Sequence, residues 1–270
     1  MEAVSLHEVR PPRKRMPGAL RAWLPLLALA FAVLAWELGA RWSGLPAFIL
    51  PAPTLVAARF ARAMADGSLP RHTLITLIEV LTGLSLGLAV ATILGYGLAK
   101  SASLEKVLAP YIVASQSVPV VAIAPLLVIW FGPGRLSKVL ICALIVFFPI
   151  LVNTVVGVRS VPRELYDLMR TLRASRRQVF LKLEAPAAMP VLLGGLKIGA
   201  TLSVIGAVVG EFVGADQGLG FLINVGNGLF DTALVFVAVI TLIGMALTLY
   251  GAVALLERRL LTWRTPVEAR

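Results

Sequence analysis

The chain has 270 residues, 59% of them hydrophobic and 14% charged, with a mean hydropathy of +0.89. Soluble domains are about 45–50% apolar and about 25% charged, so this composition excludes a water-soluble globular protein and calls for lipid as the solvent. The net charge of +11 sits in the gaps between apolar runs, a pattern of anchoring to an anionic membrane face rather than of a nucleic-acid partner.

A bilayer core takes about 20 apolar residues per helix, and the chain divides into six such spans. Residues 1–19 form a basic tail containing Arg10, Arg13, Lys14 and Arg15. The first span, Leu20–Ala40, follows; with no clear A-x-A site after it, an uncleaved span is expected. Residues 41–71 are Pro-rich and include a short amphipathic segment, Thr54–Met64, expected to lie on the membrane surface. The second span, Thr73–Ala99, carries Glu79 roughly 10 Å deep at 1.5 Å per residue. A charge there should face protein or water, either lining a pathway or pairing between helices. Gly83 and Gly87 on the same span predict plain intrachain packing.

The third span, Val107–Phe131, contains Pro110, Pro119 and Pro125. Pro119 is expected to free the carbonyl of Ser115, and free backbone inside a bilayer is tolerated where it lines a cavity. Ser115, Gln116, Ser117 and Pro119 are therefore candidate pathway residues. The alternative is a kinked helix whose hydroxyls satisfy their own backbone. The fourth span, Ser137–Val156, carries Asn153, a second polar candidate. The sole cysteine, Cys142, reads as a small buried hydrophobe; it excludes an intramolecular disulfide.

The fifth span, Ala187–Gly210, carries Gly195, Gly199 and Ser203, then Gly206 and Gly210, small residues four apart. Such stripes let helices approach closely, and this span is expected at the centre of a dimer. Lys197 is expected to snorkel as a structural residue. Glu211 closes the span at its outer face, where a gate or docking contact is expected. The sixth span, Thr232–Leu256, leads to a tail, 257–270. Trp23, Trp42 and Trp263 sit at span ends as interfacial anchors. His7 and His72 read as solvated.

Orientation follows from Lys and Arg, of which 18 of 25 fall in the N-terminal tail and alternate loops and six in the intervening segments. Both termini are then cytoplasmic, residues 41–71 periplasmic, and residues 20–256 one transmembrane domain.

One inside loop, 159–186, differs from the others. Leu165, Leu168, Met169 and Leu172 form an apolar stripe at helical spacing. Ser175-Arg-Arg-Gln178 is a capping-box pattern that starts a second short helix. The stripe either docks a partner or packs on the protein's own spans.

Here the chain resembles the binding-protein-dependent ABC permeases. Asp167-Leu-Met-Arg-Thr-Leu-Arg173, nine residues, then Leu183-Glu-Ala-Pro186 keeps the spacing of their EAA loop. Asp167 stands for the acid, Leu183 for Ile and Pro186 for Pro. Leu168 and Met169 replace alanines, Ala185 replaces Leu, and Arg173 replaces the turn glycine. Arg in the left-handed conformation should cost roughly 1 kcal/mol, so either the turn is built differently or Arg173 bears the strain.

Ser115-Gln-Ser-Val-Pro119, Ala124-Pro-Leu-Leu-Val-Ile-Trp-Phe-Gly132, Ser137-Lys138, Gly210-Glu-Phe-Val-Gly-Ala215 and Gly218-Leu-Gly220 resemble the subfamily that imports nitrate, sulfonates, taurine and pyrimidine vitamin precursors. Thr76-Leu-Ile-Glu-Val80 with Val128-Ile-Trp-Phe-Gly132 leans towards the vitamin-precursor members, of hydroxymethylpyrimidine or riboflavin type.

The resemblance implies the all-α type I importer permease fold with six transmembrane helices. It implies a multi-pass protein of the bacterial inner membrane, acting as a homodimer with two copies of a separate ATPase and a periplasmic solute-binding protein. It implies a transport subunit rather than an enzyme, with ATP and Mg held by the ATPase. Residues 159–186 become the coupling loop, with Asp167, Leu168, Met169, Leu172, Arg173, Ser175, Leu183 and Pro186 as its contact and turn residues.

From the residues alone, no G-x-x-x-x-G-K-[ST] cradle is present; Gly97-Leu-Ala-Lys100-Ser101 lacks the Gly before Lys. A secondary transporter would predict intramembrane acid relays and inverted repeats, yet only Glu79 reads as a buried acid. An intramembrane enzyme would predict a nucleophile–base pair, and none is seen.

Overall fold

The computed structural model describes residues 18–262, and every regular element among them is a helix. The elements are α1 (Gly18–Trp42), α2 (Pro53–Ala65), α3 (Ser68–Lys100), α4 (Ala102–Gln116), α5 (Val120–Phe131), α6 (Arg135–Arg159), α7 (Arg163–Thr171), α8 (Arg176–Val179), α9 (Ala185–Phe212), α10 (Leu219–Gly228) and α11 (Thr232–Leu260). A π-helical turn, Phe180–Glu184, joins α8 to α9 without interrupting the helical path. Trp263, expected as an anchor, His7 and the basic residues before Gly18 lie outside the described residues.

Five helical stretches are long and apolar enough to cross a membrane, and α4 with α5 forms a sixth if that bent pair counts as one span. Their apolar surface has nowhere else to go. Trp23, Leu27, Phe31 and Trp42 on α1 and Ile93 on α3 are all exposed, which in water would be untenable and in lipid is required. α3 has 33 residues, roughly 50 Å at 1.5 Å per residue, so it outreaches a hydrocarbon core of about 30 Å at one or both ends.

Three helices make the centre. α3 and α9 both pack along α6, burying Val80, Leu84, Ala91, Ile141, Val146, Ile150, Ala200 and Ala207. Cys142 is buried at this crossing, where its thiol lies 3.5 Å from the Ser203 carbonyl. α11, α10 and α2 complete a second apolar cluster through Val237, Leu222 and Val56. The amphipathic α2 tucks Val56 and Ala63 inside, and Arg59 bonds Asp231 at 2.8 Å to hold it on α11. Asp231 also caps α11 by accepting from the Leu234 N–H. Trp36 of α1 stacks on Phe236 of α11, with centroids 5.0 Å apart.

The third span is built differently from its expectation. Residues 107–131 are not one kinked helix: α4 ends at Gln116, α5 begins at Val120, and the axes differ by 94°. A proline cannot donate to the ladder and disfavours helical backbone before it, so Pro119 acts as the N-cap of a new helix. Residues 211–231 join the fifth span to the sixth. They contain α10, whose Leu219, Leu222, Ile223 and Gly226 are buried.

Candidate functional sites

The loop between α6 and α9 has the expected two-helix form. α7 ends in a Schellman turn: the Ala174 N–H donates to the Met169 carbonyl at 2.9 Å and the Arg173 N–H to the Arg170 carbonyl at 2.9 Å. Arg173 occupies the left-handed position of that turn, at φ +50°. The turn is thus built as with glycine, and the arginine bears the strain. The next helix opens with a capping box in which Ser175 Oγ accepts from the Gln178 N–H and the Gln178 side chain accepts from the Ser175 N–H.

The stripe on α7 does not pack on the chain's own spans. Leu165, Leu168 and Leu172 are 40%, 53% and 67% exposed; Met169 is half-buried, and Asp167 and Arg173 are exposed. Leu183 and Pro186 are half-buried where the chain enters α9.

That entry holds a residue the sequence reading passed over. Glu184 is 1% exposed; it accepts from the Tyr96 hydroxyl at 2.8 Å and from Lys100 Nζ at 2.5 Å. Tyr96 and Lys100 lie one turn apart at the end of α3, so their side chains share a face. Lys100 Nζ lies 5.3 Å from the ring centroid of Tyr166 on α7, and Phe180 meets Tyr96 edge to face. Burial, with the adjacent Glu184 carboxylate, pushes the Tyr166 phenol up to about 12. A cavity of about 490 Å³ opens beside the cluster, lined in part by Thr92, Tyr96, Phe180, Glu184, Ala188 and Met189. Lys100, the lysine of the phosphate-cradle lookalike, is therefore committed to a carboxylate. Nearby, Arg159 at the end of α6 clamps Glu105 of α4 with two bonds of 2.6 Å.

A second buried polar cluster lies towards the other end of α3. Glu79 and Lys138 are 1% and 4% exposed, and Lys138 Nζ lies 3.2 Å from Glu79 Oε1. The pairing is by charge, because the alignment misses a hydrogen bond and neither carboxylate oxygen has another partner among the described residues. Glu79 thus follows the interhelical-pairing expectation. Lys138, grouped with the loop cations, is an intramembrane partner instead. The signal for it was available: a base one turn inside one span and an acid inside another should meet.

Glu211, in the last turn of α9, is also fully buried, so Glu79 is not the lone buried acid. Its Oε1 accepts from the Thr76 hydroxyl at 2.7 Å and its Oε2 from the Gly220 N–H at 2.5 Å. The Leu219 N–H donates to Thr76 Oγ1 at 2.8 Å and the Gly218 N–H to His72 Nδ1 at 2.9 Å. Three successive amides at the start of α10 are satisfied by side chains of α3 and α9, as a helix N-terminus requires. A carboxylate there also meets the positive end of the helix dipole. Gly218, at φ +114°, cannot be replaced without strain, and a Cβ on it would run into the Glu211 carboxylate. His72 is half-buried in this network rather than solvated, and stacks on Phe221.

The polar residues of the third span sit at the 94° break. Ser115, Gln116, Ser117 and Pro119 are all exposed. The Ser115 hydroxyl donates to the Tyr111 carbonyl at 2.7 Å and Ser117 to Val113 at 3.4 Å. The Ser115 carbonyl is not free, because the Val118 N–H reaches it at 3.3 Å: a chain that turns finds an i+3 donor where a kinked helix would lose its i+4 one. The Asn153 side-chain amide donates to the Pro149 carbonyl at 2.7 Å.

The glycine stripe of α9 serves close helix packing within the chain. A Cβ on Gly195 would meet Asn153, on Gly199 Ile150, on Gly206 Cys142 and on Gly210 Lys138, all of them on α6. Gly83 and Gly87 of α3 press on Cys142, Ala143 and Val146 of the same helix, as intrachain packing requires. Lys197 pairs with Glu257 of α11.

Comparison with known proteins fits this arrangement. Residues 83–262 match the model of a family described as "Binding-protein-dependent transport system inner membrane component". The chain is 53% identical to the riboflavin transport system permease protein RibX of Chloroflexus aurantiacus, over 88% of each chain. It is 35% identical to the formylaminopyrimidine transport permease protein ThiX of Halalkalibacterium halodurans, over 92% of this chain and 99% of that one. It is 30% identical to the taurine transport system permease protein TauC of Escherichia coli, over 94% of each. The chain belongs to the binding-protein-dependent transport system inner membrane component family, and is the multi-pass inner-membrane permease subunit of an ABC importer.

Proposed function

We propose that this subunit conducts an uncharged or weakly charged heterocycle of the riboflavin or pyrimidine-precursor kind. The observation that carries the choice is the 53% identity to a riboflavin permease, against 30% to a taurine permease. The groups around the third-span break agree with it: Ser115, Gln116 and Ser117 offer neutral hydrogen bonds, which suit an uncharged ring system better than a tightly held anion. We place the pathway at this break, with Pro119 fixing its geometry and Asn153 as a further polar contact. Glu79 and Glu211 take the structural roles described above.

In this reading two copies of the permease form the pathway, and two copies of a separate ATPase hold ATP and Mg. The ATPase docks on 159–186, on the side of the membrane that carries most of the Lys and Arg; the leucines left exposed on α7 support that docking. A periplasmic binding protein delivers the solute on the opposite side. ATP-driven closure of the ATPases then rocks the spans about a midplane site.

The test is uptake into proteoliposomes holding the permease, its ATPase and its binding protein. ATP-dependent accumulation of labelled riboflavin, or its inhibition by an aminopyrimidine, supports the heterocycle. Uptake of taurine or an alkyl sulfonate in place of both overturns it.

A further inference from the structure

We propose that Glu184 is the positioning residue through which the coupling loop acts on α3. This rests on the reading of 159–186 as the docking site of the ATPase. Covalently, the loop is joined only to α6 and α9, and a push on it would reach those two helices first. α3 is distant in sequence, with Tyr96 and Lys100 lying 88 and 84 residues from Glu184. Yet the end of α3 is gripped by both arms of the loop. Lys100 faces the Tyr166 ring of α7, Tyr96 meets Phe180, and the Glu184 carboxylate binds Tyr96 and Lys100 together.

The grip differs from ordinary packing. Glu184 is a carboxylate at 1% exposure, and such a group is stable only while its donors stay in place. If α9 moves, the carboxylate either takes α3 with it or is left buried without its donors. The cavity beside the cluster leaves the base of α9 free to shift, because few packed side chains resist it there. The π turn ends at Glu184 and adds a residue to the helical turn, rotating the preceding segment by roughly 100° relative to α9. That turn is a register-changing joint at the point of contact.

α3 then carries the motion onward. It is continuous from Ser68 to Lys100, so Tyr96 and Thr76 are about 30 Å apart on one rod. Thr76 and His72 hold the first amides of α10 at the far end. A displacement entering at Glu184 therefore arrives at the Glu211–α10 cap, on the opposite side of the bundle from the loop.

The experiment uses the full complex in nanodiscs and reads three things: ATPase copurifying with the permease, basal hydrolysis, and stimulation by loaded binding protein. Glu184 is buried and presents no surface to the ATPase, so Glu184→Ala should leave assembly and basal hydrolysis intact and reduce stimulation about tenfold, within the usual range of coupling between sites. Lys100→Glu should do the same, and Glu184→Lys combined with Lys100→Glu should restore most of the stimulation. That rescue distinguishes positioning from a general loss of structure. Unchanged stimulation in both single variants overturns the proposal, as does loss of assembly in Glu184→Ala that the charge swap fails to repair. Failure of the unsubstituted permease to bind its ATPase sinks the docking reading itself, a separate result.

Discussion

Lys138 of α6 places its ammonium nitrogen 3.2 Å from Glu79 of α3, with both side chains withdrawn from solvent. Each charge is tolerable only because of the other. Lys138→Met should therefore destabilise the permease by about 3–5 kcal/mol, the usual cost of stranding one half of a buried pair. The Glu79→Gln, Lys138→Met double variant should recover most of that loss. Thermal unfolding in detergent, compared across the cycle, checks it; additive losses would contradict the pairing.

Glu211 holds the start of α10 through the Gly220 amide. Glu211→Ala leaves the Gly220 amide without its acceptor, at about 1–3 kcal/mol for a group left unsatisfied, while the Thr76 hydroxyl falls back on the His72 carbonyl at 3.2 Å. Hydrogen exchange should quicken across 219–228 before it quickens in α6. Uniform exchange throughout would show that the cap is not what secures this helix.

Arg173 sits where glycine is normally found. Arg173→Gly should stabilise the turn by about 1 kcal/mol, because the left-handed conformation costs glycine nothing. Arg173→Val should destabilise it, since a β-branched side chain suits that conformation worst. Unfolding midpoints of the two variants relative to the parent decide the sign.

Much of this was legible in the sequence where the signal is local. Six spans showed as apolar runs, and the capping box at Ser175 and Gln178 was readable from four residues. The third span failed because hydropathy is continuous through Val118–Val121, so only Pro119 marked a break that turned out to be 94°. α10 failed because Gly220, Gly226 and Gly228 lower its helix propensity; its N-terminus is instead stabilised by His72, Thr76 and Glu211 from elsewhere in the chain. The spacing of Gly195, Gly199, Gly206 and Gly210 announced a close helix contact but not which helix would fill it. Glu184 was invisible for the same reason: it is explained by partners distant in sequence, Tyr96 and Lys100.

The central claim is that the exposed leucines of α7 receive a separate ATPase, and it is tested by Leu168→Asp with Leu172→Asp. Both side chains point away from the spans, so the variant should fold and purify like the parent. Copurification of the ATPase with the parent and its loss in the variant is the expected result. Equal ATPase bound to a correctly folded variant would contradict the account.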